Sequence, residues 1–151
     1  MIWVTSLGRP DFADRLENSM REVDPKSTSR AQAFDLWRKA PMPMVTLMKT
    51  LDVTALARRS QKGNYQFNML LCWCIGKAAT EMEDFYLLPV GDKLMQYDRL
   101  AVNTVVALPD GGIATCDIPV SADLEQFDRD YRTLTGQVRE SGENYELGED
   151  Y

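Results

Sequence analysis

The sequence predicts one domain of the α/β or α+β class, in which helices pack against a mixed β-sheet. Helical and strand-like segments intermix without a steady βαβ rhythm, which argues against a regular parallel sheet. Residues 67–82 form a strongly apolar helical segment, and Pro109-Asp110-Gly111-Gly112 joins two strand-like runs. The 151 residues suffice for one domain with a substantial core and are too few for two ordinary domains.

The first third of the chain contains two predicted helices and one predicted strand. Residues 11–23 are predicted to be helical because three apolar side chains recur every four residues, namely Phe12, Leu16 and Met20. Phe34 to Lys39 reads as a helical turn or short helix. Met44 to Leu51 is predicted as a strand covered on much of both faces, because apolar residues fall on both sides of the alternation.

Two prolines, Pro41 and Pro43, precede this predicted strand. Proline fixes φ, removes a backbone donor and pushes the preceding residue out of the helical region, so this entry should be extended and unpaired. After the strand, Asp52 is a suitable N-cap for a helix through residues 53–59, and Gly63 is a natural stop.

The remaining chain alternates helices and short strands. The predicted strands are Tyr86 to Val90, Lys93 to Tyr97, Asn103 to Leu108 and Ile113 to Ile118. Ser121 is predicted to cap a last helix with an apolar stripe at helical spacing, formed by Leu124, Phe127, Tyr131, Leu134 and Val138. The acidic stretch from Glu140 to Tyr151 lacks the spacing of a calcium loop and is expected to be a solvated loop.

Composition excludes several classes of function. The net charge is -6, which argues against a nucleic-acid partner, because a phosphate backbone selects basic surfaces. No apolar run approaches the ~18 residues that span a bilayer, and the N-terminus lacks the pattern of a signal peptide. The expected location is therefore the cytoplasm, with no membrane partner.

The chain contains no histidine, which removes the most common general base and the most common zinc ligand. The three cysteines do not form a disulfide framework. Cys72 and Cys74 are two residues apart in a predicted helix, so they point in different directions and cannot chelate one ion together. No metal site is expected.

Between residues 23 and 145, several segments follow one another in a recognisable order. Asp24, Arg30 and Phe34 fit an Asp-x-x-x-x-x-Arg-x-x-x-Phe pattern, and FDLWRKAPMPMVTLMKTLDVTAL continues from it. The apolar helix, the stretch DFYLLPVGDKLMQYDRLAVNTVVAL with Asp98, and the last helix before Gly142-Glu143-Asn144 complete the series. In this order the segments resemble the first two thirds of a protomer of the chloramphenicol acetyltransferase family.

The resemblance implies a CoA-dependent acyltransferase fold, incomplete at the C-terminus, in which residues 1–22 are an N-terminal extension and residues 23–151 the N-terminal part of the domain. Proteins of this family are homotrimers that transfer acetyl from acetyl-CoA to a hydroxyl of a small-molecule acceptor, some of them conferring antibiotic resistance. Their general base is a histidine in an HHxxxDG motif, and Arg30 would pair with the aspartate of that motif. This chain has no such motif, no serine region for the oxyanion and little of the coenzyme-binding portion.

Three explanations of this departure stay open at this point. The sequence is a piece of a longer enzyme, or a second chain supplies the remainder, or the protein is a non-catalytic relative that binds small molecules or completes a trimer. Under the first two explanations the function is O-acetylation of an apolar, hydroxyl-bearing small molecule. Without histidine the 151 residues alone are not expected to be active.

By position, the resemblance also implies the wall of the acceptor pocket. The implied substrate-binding residues are Leu36, Trp37, Pro41, Pro43, Val45, Val105, Ala114 and Cys116. This wall is apolar, as a small-molecule site should be, but has less aromatic surface than the family pattern, so chloramphenicol itself is not implied as the acceptor. A nucleophilic role for Cys116 is not expected, because no base lies near it in the sequence.

Overall fold

A computed structural model describes residues 2–6, 20–42, 44 and 46–147, and for residues 2–6 only the backbone is considered. The fold combines helices with β-structure, as the sequence predicts, but the described strands form two small antiparallel sheets rather than one mixed sheet. The helices are α1 (Ala31–Lys39), α2 (Thr54–Gly63), α3 (Phe67–Thr80) and α4 (Leu124–Ser141). The strands are β1 (Ile2–Ser6), β2 (Met20–Val23), β3 (Leu87–Val90), β4 (Lys93–Tyr97), β5 (Leu100–Ala107) and β6 (Ile113–Pro119). Short 3-10 helices span Pro25–Ser27 and Glu83–Tyr86.

The core lies between helices α3 and α4 and the first sheet, which has the strand order β1-β5-β6. Helix α3 packs on β5, and α4 packs on β6. The apolar stripe predicted on the last helix is confirmed, since its side chains are buried in this core or packed against it. The largest fully buried apolar side chains are Tyr97, Phe127, Met69, Leu94, Ile118, Val102 and Val138.

The predicted hairpin around residues 109–112 is confirmed and joins β5 to β6. The two strands pair antiparallel from Ala101 opposite Pro119 to Ala107 opposite Ile113. Gly111 has φ of +87°, a left-handed conformation that glycine adopts without steric cost, and the Leu108 amide donates to the Gly112 carbonyl at 2.9 Å. Opposite residues in this register face the same side of the sheet, so the register decides which side chains can share a site.

The second sheet has the order β2-β4-β3 and is antiparallel throughout. Strands β3 and β4 form a hairpin whose turn contains Gly91 at φ +58°. The helix predicted over residues 11–23 is wrong at its C-terminal end, because Met20–Val23 pairs with β4 as a strand. Residues 11–19 lie outside the described residues. The long-range pairing with β4 outweighs the local four-residue spacing that suggested a helix.

The strand predicted from Met44 to Leu51 is wrong for its described residues. Residues 46–51 have no regular secondary structure and belong to neither sheet, and their apolar side chains are largely exposed, with Leu47 89% and Met48 94% accessible. The alternation of side chains in this segment is compatible with a β-strand, but a strand forms only where a neighbouring strand can pair with it. Within the described part of the chain, this segment has none.

Two helix boundaries differ from the sequence prediction by a few residues. Helix α2 begins at Thr54, and the Asp52 carboxylate accepts from the Thr54 amide at 2.9 Å, so Asp52 caps it from one residue further out. Helix α4 is capped by Asp123 rather than Ser121, because Asp123 Oδ1 accepts from the Glu125 amide at 2.9 Å. The Ser121 hydroxyl accepts instead from the Asp123 amide.

The solvated loop predicted from Glu140 onward is also wrong for part of its length. Helix α4 continues to Ser141 and ends at Gly142, which has φ of +74°. The chain then runs alongside β6, where Tyr145 forms a parallel bridge with Cys116 and packs against the core. Apolar burial of Tyr145 and backbone pairing outweigh the acidic composition that suggested a free loop. Residues 148–151 lie outside the described residues.

Among the described residues, no helix is long and apolar enough to cross a membrane.

Candidate functional site

A cleft of about 520 Å³ separates α1 from the β3–β4 hairpin. Its volume falls within the range of small-molecule sites. Helix α1 contributes the first wall with Arg30, Ala33, Phe34, Trp37 and Arg38. The second wall and the turn below it contribute Leu87, Pro89, Gly91, Asp92 and Leu94. The cleft therefore has an apolar interior with charged groups from both walls.

Helix α1 presents one face to this cleft because its lining residues recur at spacings of three and four. Residues 30, 33, 34 and 37 lie on one side of a helix of 3.6 residues per turn. The helix ends at Lys39 because Ala40 precedes Pro41, and Ala40 has the extended conformation (φ -77°, ψ 132°) that a following proline favours. Pro41, which the sequence predicts to hold this entry extended, therefore sets the C-terminal end of the α1 wall.

The C-terminal end of α1 is fastened to the β3–β4 turn by Arg38. Its Nη2 lies 3.1 Å from Asp92 Oδ1, and its Nη1 donates to the Asp92 carbonyl oxygen at 3.2 Å. The same guanidinium lies over the Phe34 ring, 5.6 Å from the ring centroid. Arg38 thus joins both walls and covers part of the aromatic surface, a geometry in which a cation is attracted to the ring face.

The N-terminal end of α1 carries a looser ion pair. Arg30 Nε lies 3.5 Å from Asp84 Oδ1, and the Ser29 hydroxyl donates to the same carboxylate oxygen at 2.9 Å. Both charged side chains are more than two-fifths exposed, so this pair contributes little to stability. Arg30 therefore has a carboxylate partner within this chain, in addition to any partner that the family resemblance implies.

Of the eight predicted substrate-binding residues, one lines the cleft. Trp37 lies on its α1 wall and is 43% exposed, whereas the adjacent Leu36 points elsewhere and is 59% exposed. Pro41 is exposed just beyond the helix. Pro43 and Val45 lie outside the described residues. The predicted wall and the cleft therefore have Trp37 in common.

The other three predicted residues lie on the first sheet, on two different faces. Ala114 and Cys116 belong to the buried core beneath α3 and α4. Val105 pairs with Thr115 and therefore faces the opposite side, where it is partly exposed. None of these three is among the residues that line the cleft. The proposal that these eight residues form a single binding surface therefore stays a prediction.

The face that carries Val105 also holds a partly buried polar pair that the sequence gave no reason to single out. Asn103 and Asp117 are opposite one another in the strand register. Asn103 Nδ2 donates to Asp117 Oδ1 at 2.7 Å, and the Leu147 amide donates to Asp117 Oδ2 at 3.3 Å. These bonds satisfy the carboxylate and hold the segment after α4 against β6.

Burial makes Cys116 unsuitable as a nucleophile, as the sequence indicates. Removal from solvent, reinforced by the neighbouring charge of Asp117, raises the pKa of the Cys116 thiol from 9.0 to about 12. Burial also raises the pKa of Cys72 and of Cys74. At neutral pH all three therefore remain thiols, and the thiolate is the reactive form.

Five apolar cleft residues were not predicted as pocket residues from the sequence, namely Ala33, Phe34, Leu87, Pro89 and Leu94. The helical spacing of Ala33 and Phe34 with Trp37 would have identified the first two. The last three lie about fifty residues further along the chain, and only the tertiary packing of the hairpin brings them to α1. Within the described ranges, no group of three or more His, Cys, Asp or Glu side chains is arranged to hold a metal ion.

Comparisons with known proteins support the fold. No family model matches the sequence, and no curated protein sequence matches it. A solved structure described as "chloramphenicol acetyltransferase" is similar, with a TM-score of 0.64 and 17% sequence identity. The similarity covers 76% of this chain and 54% of that one, so this chain spans about half the length of the structure that it matches. The protein therefore has a fold similar to that of a chloramphenicol acetyltransferase.

Proposed function

We propose that this chain forms the acceptor-binding part of an acyltransferase-like protein and that it holds an apolar, hydroxyl-bearing small molecule in the α1 cleft. The observation that carries the proposal is the cleft of about 520 Å³ with Trp37 on its wall, in a fold similar to that of an enzyme named for acetylating a small molecule. Trp37, Phe34 and Leu94 supply the apolar surface that such a ligand requires.

The proposed reaction is O-acetylation with acetyl-CoA as donor. Transfer to an alcohol needs a proton acceptor, because the pKa of an alcohol lies far above 7. The chain contains no histidine, and the carboxylate nearest the cleft, Asp92, is engaged by Arg38. The lining of the cleft thus suits an acceptor, and acetyl-CoA enters the proposal through the resemblance alone. Acetyl transfer would require a base that these 151 residues do not supply.

A second candidate function is binding without chemistry. The absence of histidine favours a relative that holds an apolar small molecule or completes a trimer. The acetyltransferase and the small-molecule-binding relative both predict ligand binding in the cleft, and only the acetyltransferase predicts acetyl transfer when a base is provided. Both proposals include assembly into a homotrimer. Both also keep the proposed division of the chain into an N-terminal extension, residues 1–22, and a domain, residues 23–151. Strand β1 from this extension pairs with β5 along its whole length.

Two measurements test the proposed function. Equilibrium dialysis with chloramphenicol and a panel of apolar alcohols should show saturable binding that is reduced about tenfold or more by Trp37→Ala, since the tryptophan supplies most of the ring contact. Trp73→Phe is the matched control, because Trp73 donates to the Ser121 carbonyl at 3.0 Å and lies on α3, away from the cleft.

Thiol release from acetyl-CoA in the presence of a bound acceptor separates the two candidate functions. Release by this chain together with a histidine-bearing partner segment would support the acetyltransferase. Saturable binding without release under any such condition would favour the non-catalytic relative. No binding of any acceptor, with the fold intact by circular dichroism, would exclude the cleft as an acceptor site.

A further inference from the structure

The side chain of Arg38 lies across one end of the α1 cleft. Its guanidinium lies over the Phe34 ring on the first wall, 5.6 Å from the ring centroid. The Nη2 atom of the same group lies 3.1 Å from Asp92 Oδ1, and Nη1 donates to the Asp92 carbonyl oxygen at 3.2 Å. Asp92 belongs to the turn on the other side of the cleft, so one guanidinium contacts both sides and narrows the space between them.

This arrangement divides the aromatic surface of the cleft into an accessible part and a covered part. Trp37 and Phe34 are the aromatic residues of the α1 wall, and Trp37 is 43% exposed. A ligand ring can therefore lie against Trp37. The face of Phe34 beneath Arg38 cannot accept a ligand ring at the same time, because the ring and the guanidinium would occupy the same position.

The two aromatic residues are close neighbours on α1. Side chains at positions i and i+3 share one helix face, with Cβ atoms about 5–6 Å apart. Helix α1 ends at Lys39, just beyond Trp37, so the aromatic surface of the described wall continues from Trp37 towards Phe34. A ligand whose second ring lies along α1 therefore meets Arg38 before it reaches Phe34.

The contact between Arg38 and Asp92 opens at small cost. The Asp92 side chain is 89% exposed and that of Arg38 is 41% exposed. At such exposure water competes for both charges and dissolved salt screens them, so the closed pair is favoured over the open pair by a factor of about five or less. Arg38 can thus leave the Phe34 face when a ligand compensates for the lost contacts.

We infer that Arg38 is a specificity-determining residue: held by Asp92, it favours an acceptor with one ring against Trp37 over an acceptor with two fused rings. The inference rests on the proposed function, because it specifies the size of the ligand that the same cleft accepts. A one-ring acceptor binds while the pair stays closed. A two-ring acceptor has to open the pair, and this cost lowers its affinity relative to the one-ring acceptor.

The test compares 2-phenylethanol with 2-(2-naphthyl)ethanol, two neutral alcohols that differ by one fused ring. Protein labelled with 5-fluorotryptophan gives one ¹⁹F resonance for each of its three tryptophans, assigned by single Trp→Phe variants. The Trp37 resonance yields both dissociation constants, and the Trp73 resonance serves as an internal control. In a second sample, labelled with 4-fluorophenylalanine, the Phe34 resonance reports whether a ligand ring reaches that residue. The quantity compared is the dissociation constant of the naphthyl probe divided by that of the phenyl probe.

Arg38→Ala should lower this ratio about tenfold, since the pair no longer has to open and the uncovered Phe34 ring adds a ring contact. The naphthyl probe should then shift the Phe34 resonance more than it does in the parent protein. Asp92→Asn should lower the ratio roughly two- to threefold, because the bond from Arg38 to the backbone carbonyl remains. Salt at about 0.5 M should lower the ratio more in the parent than in Arg38→Ala, since only the parent has this ion pair to screen.

Lys39→Ala is the matched control. Lys39 forms an ion pair at the same end of α1, with its Nζ 2.7 Å from Asp35 Oδ1, and it is not among the residues that line the cleft. The variant removes one positive charge and one ion pair, as Arg38→Ala does. It should therefore leave the ratio of dissociation constants unchanged.

The outcomes separate the inference from the proposed function. If both probes bind at Trp37 and Arg38→Ala leaves their ratio unchanged, the inference is overturned and the cleft stands as an acceptor site. An equal change in Lys39→Ala would also overturn it, because charge or helix stability would then be the cause. Should Arg38→Ala fail to fold, as judged by circular dichroism, Asp92→Asn and the salt series decide in the same way. If neither probe shifts the Trp37 resonance at millimolar concentration, the proposed acceptor site fails, and the inference fails with it.

Discussion

At the scale of single residues, Gly76 is a point of close approach between α3 and the first sheet. A Cβ at this position would lie 2.9 Å from Val120 Cγ2 and 3.0 Å from Val102 Cγ2. Both neighbours are β-branched side chains with restricted rotamers, so neither moves aside easily. The absence of a side chain at Gly76 is therefore what lets α3 and β5 pack together.

Gly76→Ala should destabilise the protein by about 1–3 kcal/mol, because overpacking outweighs the gain of up to about 1 kcal/mol in helix propensity. Gly136→Ala on α4 is the matched control, since no atom lies within 4 Å of the added Cβ. That variant should be stabilised by about 0.4–1 kcal/mol. Urea denaturation of the two variants checks the difference, and equal stabilisation of both would show that the α3 contact is not tight.

Cys116 should make the stability of the protein fall at alkaline pH. Its pKa is raised by burial from 9.0 to about 12, so the folded state keeps the thiol proton after the unfolded state has lost it. The stabilisation is complete below pH 9 and is lost as pH rises towards 12. The free energy of unfolding of Cys116→Ala, measured by denaturant titration over this range, should decline less steeply than that of the parent. Parallel declines would contradict the assignment.

At the scale of elements, the segment after α4 is held to β6 by a short set of bonds. The Tyr145 amide donates to the Thr115 carbonyl at 2.9 Å, and the Asp117 amide donates to the Tyr145 carbonyl at 3.0 Å. The Asn144 side chain completes the set by accepting from the Thr115 amide at 2.9 Å. An asparagine side chain thus takes the place of a backbone carbonyl at the start of this pairing.

Asn144→Ala should therefore loosen this segment by about 0.5–1.5 kcal/mol, the net worth of one hydrogen bond. The expected readout is faster amide hydrogen exchange at Thr115 and Tyr145, with unchanged protection in β5. Asn144→Asp keeps an accepting oxygen and should retain the protection. Uniformly faster exchange throughout the first sheet would show that the segment is not a separate unit.

At the scale of the whole molecule, local patterns predicted most elements, because the interactions that specify them are local. The hairpin after β5 follows from its turn residues, and the α4 stripe follows from its spacing. Where the outcome depends on a distant partner, the sequence was insufficient. Met20–Val23 became a strand by pairing with β4, whereas residues 46–51 pair with no strand of the described part of the chain despite a suitable pattern.

The same limit applies to the candidate site, because part of its lining depends on packing between residues that are far apart in the chain. Trp37 was proposed by its position in the family resemblance, and Phe34 shares its helix face. Leu87 and Leu94 could not be proposed, because the packing of the β3–β4 hairpin against α1 involves residues far apart in the chain. The resemblance places three residues of the first sheet in one wall, namely Val105, Ala114 and Cys116. The strand register instead puts Val105 on the opposite face from the other two.

The alternation of β6 divides the strand into two sets of positions at which substitutions have different consequences. Ala114, Cys116 and Ile118 fill the core, so substitutions there change stability first. Ile113 and Thr115 face the other way and border Val105, so substitutions there leave the core intact. Changes drawn from the two sets should combine additively when their side chains do not touch. One strand can thus diversify a surface while its other side continues to specify the fold.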